Sequence, residues 1–578
     1  MRNFLFISLL WLIALPSLAF KADKKTIQQI DSDFVTEYLT PVRIVWLSDK
    51  TGRLVKNSEQ LLEPFSGQAS VNNQKVCILK SVSENEKASL LLDFGKEIQG
   101  GIQLVASIRD EKQPINVRVR FGESVSEAMS EIRDGATNDH AVRDFLLPVP
   151  WLGSIEVGNT GFRFVRIDLE ESQIPLLLNA IRAVSKYRDI PYLGSFKCDN
   201  ERLNKIWQVG AYTVHLNMQN YLWDGIKRDR LVWLGDLHPE VMAVTNVFGE
   251  HHVVNKTLDF AKEDTPLPGW INGMSSYSLW WVIIQRDLYL YRGNKEYLET
   301  QRPYLIGLLN QILSKIASGK ETLDGVRFLD WPTSENTDII HSGLQSLMMI
   351  TMKAGIDLCE WLDEPLSKKQ CQEAFDALKN NQPSHCNNKQ AIALSVLADD
   401  TIDRQEGLLL ANNGAQGFST FYGYYMLEAL AKCNMYEEAM QIISDYWGGM
   451  LDLGATTFWE DLTYEDLSKA TRIDELVPEG KYDIHANGGA YCYKGYRHSF
   501  CHGWASGPTS WLTQHVLGVR AIEPGCKTIE VKPHMGSLKR VEGTFPTPYG
   551  IVKIEHIRLR NGKIKTKIDA PKEIKVIQ

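Results

Sequence analysis

The sequence predicts a multidomain chain of mixed α and β structure, an (α/α)6 six-hairpin barrel flanked by N-terminal and C-terminal β-sandwich domains. Three observations carry that prediction. Short runs rich in branched and aromatic residues alternate with glycine turns up to about residue 190. Helical periodicity with unusually aromatic loops follows from about 195 to 515, and alternating strand patterns return beyond about 520. The 578 residues suffice for about three or four domains. At 44% hydrophobic and 23% charged, the composition is that of packed globular protein. A net charge of -8 offers no basic surplus to replace phosphate counterions, which argues against a nucleic-acid partner.

The first 19 residues read as a signal peptide. Arg2 supplies the positive start, Phe4 to Leu15 form an apolar run, Pro16 ends it, and Ser17-Leu18-Ala19 suits cleavage. The run is about 12 residues, short of the roughly 20 needed to span a bilayer. No later stretch reads as transmembrane, so the mature chain is expected to be exported, periplasmic or secreted, with no membrane span. Residues 20–192 form the expected N-terminal β-sandwich. Ala88-Ser-Leu-Leu-Leu-Asp-Phe is a buried-strand run, and Ile115-Asn-Val-Arg-Val-Arg-Phe alternates as a half-buried strand should. Gly95, Gly100, Gly101 and Gly122 punctuate them.

Residues 193–520 form the expected barrel. Apolar residues recur at three- and four-residue steps in 201–212, 305–316, 346–362 and 422–447. The intervening loops are expected to carry Trp223, Trp233, Trp270, Trp280, Trp281, Trp331, Trp459, Trp504 and Trp511. In such a toroid the loops of one rim form a cleft, where aromatic rings offer flat platforms to the apolar faces of sugars. Residues 521–578 return to β structure in Lys527-Thr-Ile-Glu-Val-Lys, Ile551-Val-Lys-Ile-Glu-His-Ile and Lys563-Ile-Lys-Thr-Lys-Ile. The nine cysteines include no CxxC pair, so neither a zinc site nor a cofactor is expected; Cys359, Cys371 and Cys386 are close enough in sequence for one local bridge.

Four loop segments concentrate acids and aromatics. Trp223 to Asp236 holds three carboxylates, three cations and two tryptophans in fourteen residues. The others are Phe328-Leu-Asp-Trp-Pro-Thr-Ser-Glu335, Gly454-Ala-Thr-Thr-Phe-Trp-Glu-Asp461, strand-like or a helix lead-in, and Arg497-His-Ser-Phe-Cys-His-Gly-Trp504. Glycosidic bond hydrolysis needs two carboxyl groups, one to protonate the leaving oxygen and one to activate water or attack carbon. Acids from separated loops could supply them.

These segments resemble the signatures of family 78 glycoside hydrolases, the α-L-rhamnosidases. Asp224 to Asp236 is similar to the family's Asp-Cys-Pro-x-Arg-Asp-Glu-Arg-x-Gly-Trp-x-Gly-Asp. Ala-Thr-Thr-Phe-Trp-Glu460 resembles its Thr-Thr-x-Trp-Glu, Asp330-Trp331 its Gly-Asp-Trp, and His502-Gly-Trp its Asn-His-Tyr. Leu92-Asp-Phe-Gly, Gly161-Phe-Arg-Phe-Val and Pro546-Thr-Pro-Tyr-Gly extend the likeness to both β regions. The resemblance implies an inverting exo-glycosidase acting on terminal α-L-rhamnosyl residues of a glycan or glycoside. Glu460 would be the general base, and Asp224, Arg228, Trp233, Asp236, Asp330, Trp331 and His502 would bind sugar.

In one segment the sequence departs from the family. Arg228-Asp229-Arg230 is one residue shorter than the family's acid-bearing stretch. Aligned from Trp233, Asp229 takes the general-acid position; aligned from Asp224, the acid is deleted. Three readings follow: Asp229 is the acid, Glu240 or Glu335 has replaced it, or the chain is a non-catalytic carbohydrate-binding relative. A polysaccharide lyase using His485, Tyr491 and Arg497 is a further alternative. If Asp229 is the acid, Arg228 and Arg230 should face other carboxylates such as Asp224 and Asp236, since a cation at Asp229 favours its ionised form.

Overall fold

The computed structural model describes residues 31–71, 75–83, 85–131, 143–170, 174–401 and 403–578. The predicted signal peptide, 1–19, lies outside them. Among the described residues no helix is long and apolar enough to cross a membrane.

The N-terminal region is a nine-stranded antiparallel sheet. Its axis is the long strand Ser89–Ala106, which pairs with Gly153–Leu169 on one side and Leu176–Arg188 on the other. Register shifts between Asp93 and Ile98 and between Gly100 and Ile102 bend it. The bend folds one face inward, so that Leu90, Leu92, Ile102, Leu104, Val119, Phe121 and Phe162 form a core of their own. A short helix, α1 (Val125–Met129), follows the strand Ile115–Gly122. Ser124 caps it by accepting from the Glu127 N–H.

The barrel is built of six helix pairs, counted among the described residues. They are α2 (Glu201–Asn217) with α3 (Leu237–Phe248), α4 (His252–Asp264) with α5 (Ser275–Arg292), and α6 (Lys295–Leu313) with α7 (Thr337–Trp361). Then come α8 (Pro365–Lys379) with α9 (Lys389–Ala398), and α10 (Arg404–Ala411) with α11 (Gly423–Lys432). The last pair is α12 (Tyr436–Asp452) with α14 (Gly507–Trp511), which runs on as a π-helical turn to Val516; the single turn α13 (Ile484–Asn487) lies between them. The inner helices α3, α5, α7, α9, α11 and α14 touch in sequence and α14 closes on α3. Asn200, Asn294, Asn336 and Asn388 cap helices with their side chains, which is why these starts are sharp. The periodic run 422–447 divides into α11 and α12, because Asn434 adopts a left-handed backbone (φ 59). Trp280, Trp281, Trp447, Trp459 and Trp511 are fully buried core residues.

Two small sheets follow the barrel and form the C-terminal β region. One pairs Val519–Ala521, Thr528–Val531 and Lys575–Ile577. The other orders Arg540–Thr547, Gly550–Arg558 and Ile564–Asp569, and takes in Ser195–Cys198 from the start of the barrel region. All nine cysteines are unbridged; Cys359 and Cys371 are buried and Cys386 is exposed.

One of several contacts between the N-terminal sheet and the barrel is made by the loop that carries Lys227. Gly161 N–H donates to the Ile226 carbonyl at 3.0 Å, and Thr160 Oγ1 to that of Lys227 at 3.3 Å. A Cβ at Gly161 would lie 2.8 Å from the Ile226 side chain and 3.0 Å from the Lys227 nitrogen. Gly161→Ala is therefore expected to lower the thermal unfolding midpoint, by the roughly 1–3 kcal/mol of an overpacked contact. An unchanged midpoint would contradict this close approach.

Candidate active site

The cleft forms where the inner helices present their N-terminal ends. Asp236 stands at the start of α3, Met274 at that of α5, Trp331 shortly before α7, and His502 shortly before α14. Glu460 lies in the loop after α12; its Thr-Thr-Phe-Trp lead-in is neither strand nor helix. The pocket encloses about 210 Å³ and is lined by Asp224, Arg228, Asp229, Asp236, Glu460 and His502, with an aromatic wall that includes Trp233, Trp331 and Trp504. A larger cavity of about 780 Å³ opens in the barrel lumen further along the inner helices. It holds the stacked rings of Trp280, His238 and Tyr425, and its charged residues are engaged in ion pairs such as Arg286–Asp287 and Arg520–Glu530. Convergent carboxyls mark the smaller pocket as the reactive one.

The shortened segment makes a tight turn. Asp224 Oδ1 accepts from the Leu231 N–H at 2.8 Å, closing the loop on itself. Asp229 (φ 53) and Arg230 (φ 54) are both left-handed, a costly backbone for two adjacent non-glycine residues. That geometry turns the Asp229 carboxyl into the pocket, where Trp233 Nε1 donates to it at 3.3 Å.

The expected orientation of the flanking arginines is not what is found. Arg228 is buried; its guanidinium lies 3.1 Å from Asp229 Oδ1 and grips Glu460 Oε1 in a very short contact. Arg230 turns away and donates to the Asn159 carbonyl at 2.6 Å. The cause is local: Arg228 Nε is held by the Arg497 carbonyl at 2.8 Å, and Tyr493 stacks beneath the guanidinium at 5.3 Å. Bridged by one guanidinium, the oxygens of Asp229 and Glu460 that it contacts are no more than about 8 Å apart.

Glu460 is held at every polar atom. Oε2 accepts from the Ser499 N–H at 3.1 Å, and its backbone N–H donates to the Ser499 carbonyl at 3.0 Å. Its own carbonyl accepts from Trp504 Nε1 at 3.0 Å. Burial pushes its carboxyl above the usual range, and Arg228 opposes that shift. His502 Nε2 lies 2.9 Å from Asp236 Oδ1, and its Nδ1, without a hydrogen-bond partner among the described residues, lies 3.6 Å from Glu460 Oε1. Only a residue without a side chain fits against this ring: a Cβ at Gly225 would meet His502 Nδ1 at 3.0 Å.

Asp330 does not join the pocket. Its Oδ2 accepts from Ser419 Oγ at 2.5 Å, its Oδ1 accepts from the Trp331 N–H at 2.9 Å, and it braces the barrel wall. Trp331 does line the cleft, stacked 6.0 Å from Tyr491. Neither alternative acid reaches the pocket: Glu240 is fully buried behind Gly503, and Glu335 is exposed outside the lining. Met274, Tyr277, Phe328, Cys492, Tyr493 and Arg497 complete the lining. Tyr277 and Tyr493 carried no motif signal, being single aromatics in otherwise ordinary stretches.

Burial raises Asp236 to about 7 and both Asp330 and Asp461 to about 6. An acid whose folded pKa is raised contributes stability that is complete below its unfolded value, near 4, and is lost as pH climbs through the folded value. Wild-type thermal stability should therefore fall between about pH 4 and 7. In Asp236→Asn the drop between pH 5 and pH 8 should be smaller; an equal drop in calorimetry would refute the assignment for Asp236.

Residues 191–349 match the bacterial α-L-rhamnosidase six-hairpin glycosidase domain, and residues 518–576 the bacterial α-L-rhamnosidase C-terminal domain. An α-L-rhamnosidase of Alteromonas sp. (strain LOR) is 24% identical over 538 residues, covering 83% of this chain and 55% of that protein, so the chain spans about half the length of this curated relative. The family 78 rhamnosidase of Bacillus sp. GL1 superposes with a TM-score of 0.69 at 20% identity, over 89% of this chain and 55% of that one. A Klebsiella oxytoca rhamnosidase with rhamnose bound superposes with a TM-score of 0.61 at 20% identity, over 83% of this chain and 96% of that one. Residues 191–349 and 518–576 thus carry the likeness to the six-hairpin and C-terminal domains of the bacterial α-L-rhamnosidases, and the fold is similar to that of family 78 glycoside hydrolases over most of the chain.

Proposed function

We propose that the protein is an exported, inverting exo-glycosidase that removes terminal α-L-rhamnosyl residues, or a close relative of that sugar, from glycans or glycosides. The observation that carries this reading is the pair of carboxyls, Asp229 and Glu460, set across one small aromatic-walled pocket. The oxygens that Arg228 contacts are no more than about 8 Å apart, a bound that admits both the 6.5–9.5 Å of inverting enzymes and the roughly 5–5.5 Å of retaining ones, so the inverting assignment rests on the family resemblance.

Glu460 is the base. Arg228 and the Ser499 N–H both oppose the upward shift that burial gives it, and His502 Nδ1 beside it can help orient the attacking water. Asp229 protonates the leaving oxygen. It sits at the pocket's edge, its side chain 18% exposed, where an aglycone would leave. Trp233, Trp331 and Trp504 pack against the sugar, and Asp224, Asp236 and His502 bond its hydroxyls. These proton transfers call for no cofactor.

A second assignment of the acid rests on a specific observation. Asp224 is fully buried, and burial holds its carboxyl well above the usual range, the direction a general acid requires. Leaving groups separate the two candidates. A 4-nitrophenolate leaves without protonation, whereas an alkoxide needs the acid. Asp229→Asn is expected to slow cleavage of a rhamnosyl disaccharide by about 10²–10⁴-fold while costing far less on 4-nitrophenyl α-L-rhamnoside. If Asp224→Asn shows that asymmetry instead, the proton comes from Asp224. Glu460→Gln should lose activity on both substrates, and NMR of the first-formed wild-type product should show the β-anomer. Retention, or no cleavage of any rhamnoside by the wild type, would overturn the proposed function.

A further inference from the structure

Behind the catalytic loops lies a fully buried ion cluster that the chemistry above does not use. Glu123 and Glu127 come from the N-terminal sheet domain, Lys227 from the loop that carries Arg228 and Asp229, and His485 from α13. The ligand atoms of Glu123, Glu127 and His485 lie within 4.8 Å of one another, a spacing that could hold a metal ion. The chain supplies its own cation instead. Lys227 Nζ lies 2.9 Å from Glu127 Oε1, 3.3 Å from Glu123 Oε2 and 3.4 Å from His485 Nε2, and donates to the His498 carbonyl at 2.8 Å.

From this cluster two short paths lead to Glu460. Glu123 Oε2 accepts from the Phe500 N–H at 2.6 Å and its Oε1 from Ser499 Oγ at 3.3 Å; the Ser499 N–H then donates to Glu460 Oε2. On the other side Lys227 directly precedes Arg228, whose guanidinium holds Glu460 Oε1. Each oxygen of the base is thus fixed by a residue adjacent to, or bonded by, the cluster. Glu127 is anchored in turn: its Oε2 accepts from the Glu123 N–H at 2.8 Å, and its own N–H is bonded by the α1 cap Ser124, whose Oγ lies 2.7 Å from His485 Nδ1. That arrangement is a variant of a helix capping box.

We propose that Glu123, clamped by Lys227 and Glu127, is a positioning residue for Glu460, which makes the N-terminal sheet domain a working part of the active site. The inference rests on the reading of Glu460 as general base. Misplacing a catalytic group by about 1 Å can cost about 10²-fold. Glu123→Ala should therefore lower kcat on 4-nitrophenyl α-L-rhamnoside by about 10²-fold, with KM little changed. The isosteric Glu123→Gln, which keeps one acceptor, should lose less. The Ser499 N–H favours the ionised base, so its loosening should move the limb on which kcat/KM rises with pH to higher pH. Arg228, Asp229, Asp224, Asp236, His502 and Tyr493, which face Glu460, are unaltered in both variants.

Hydrogen exchange followed by mass spectrometry gives a readout that needs no turnover. Peptides spanning 498–502 should lose protection in both variants, while those of α7 and α9 keep theirs. Val119→Ala, in the core of the same sheet domain, is the control: it should lower the melting temperature without moving the pH limb or the exchange of 498–502. If Glu123→Ala does not fold, Glu123→Gln carries the test. Unchanged exchange at 498–502, or a kcat loss with the pH limb unmoved, would overturn the proposal. A wild type that cleaves no rhamnoside would instead overturn the functional reading, and exchange would still decide the positioning role.

Discussion

The geometry of the cleft depends on where one guanidinium sits. Arg228 is almost wholly buried and contacts two carboxylates from distant parts of the chain, Asp229 beside it and Glu460 in the loop after α12. Removing one partner of such a buried pair costs about 3–5 kcal/mol, because the other charge is left without water or counterion. The ion pair thus ties the two reactive loops together and opposes the upward shift that burial gives the deeper acid. It also accounts for the backbone around it. With Arg228 committed inward and held by the Arg497 carbonyl, a loop one residue short can return to Leu231 only through the left-handed conformations of Asp229 and Arg230.

Around this pair the protein stores acids in an apolar setting. Asp224, Asp236 and Glu240 are all pushed upward by burial, and Glu240 has no hydrogen-bond partner at either carboxyl oxygen. Neutral carboxyls are tolerable inside a protein where ionised ones are not. The N-terminal ends of α3, α5, α7 and α14 point at the same region, and their partial positive charge favours whichever carboxylates ionise. The site therefore combines a buried cation–carboxylate pair with two carboxyls, Asp224 and Asp236, whose protonated form burial favours.

Much of this was legible in the residues. The strand-like segments before 190, the helical periods of the middle region and the alternating strands after 520 each correspond to real elements, because each reflects burial on one face of a regular backbone. The pocket residues Asp224, Arg228, Asp229, Trp233, Asp236, Trp331, Glu460 and His502 were all picked out by their segments and converge. What escaped depends on three-dimensional closure. Asp330 sits next to Trp331 yet faces the wall, because Ser419 and the Trp331 backbone N–H absorb its oxygens. The direction of Arg228 is set by Arg497, and Glu123 is over three hundred residues from the Ser499 it bonds. Tyr493 and Tyr277 matter through position alone. The 422–447 run concealed a break that one asparagine makes.

The sheet that receives Ser195–Cys198 has a bearing on how the chain is made. Ser195 meets Thr544 across 349 residues of sequence, and the strand entering the barrel is completed by one synthesised only after all of the barrel's helices. Loop closure over that distance carries an entropic cost that only the finished barrel between the two strands can offset. During synthesis the first helix pair must wait with its strand edge unpaired and Phe196 uncovered, a state open to chaperones and to misassociation. The two ends of the barrel region are joined by a clasp, and the ring becomes one cooperative unit when the clasp shuts.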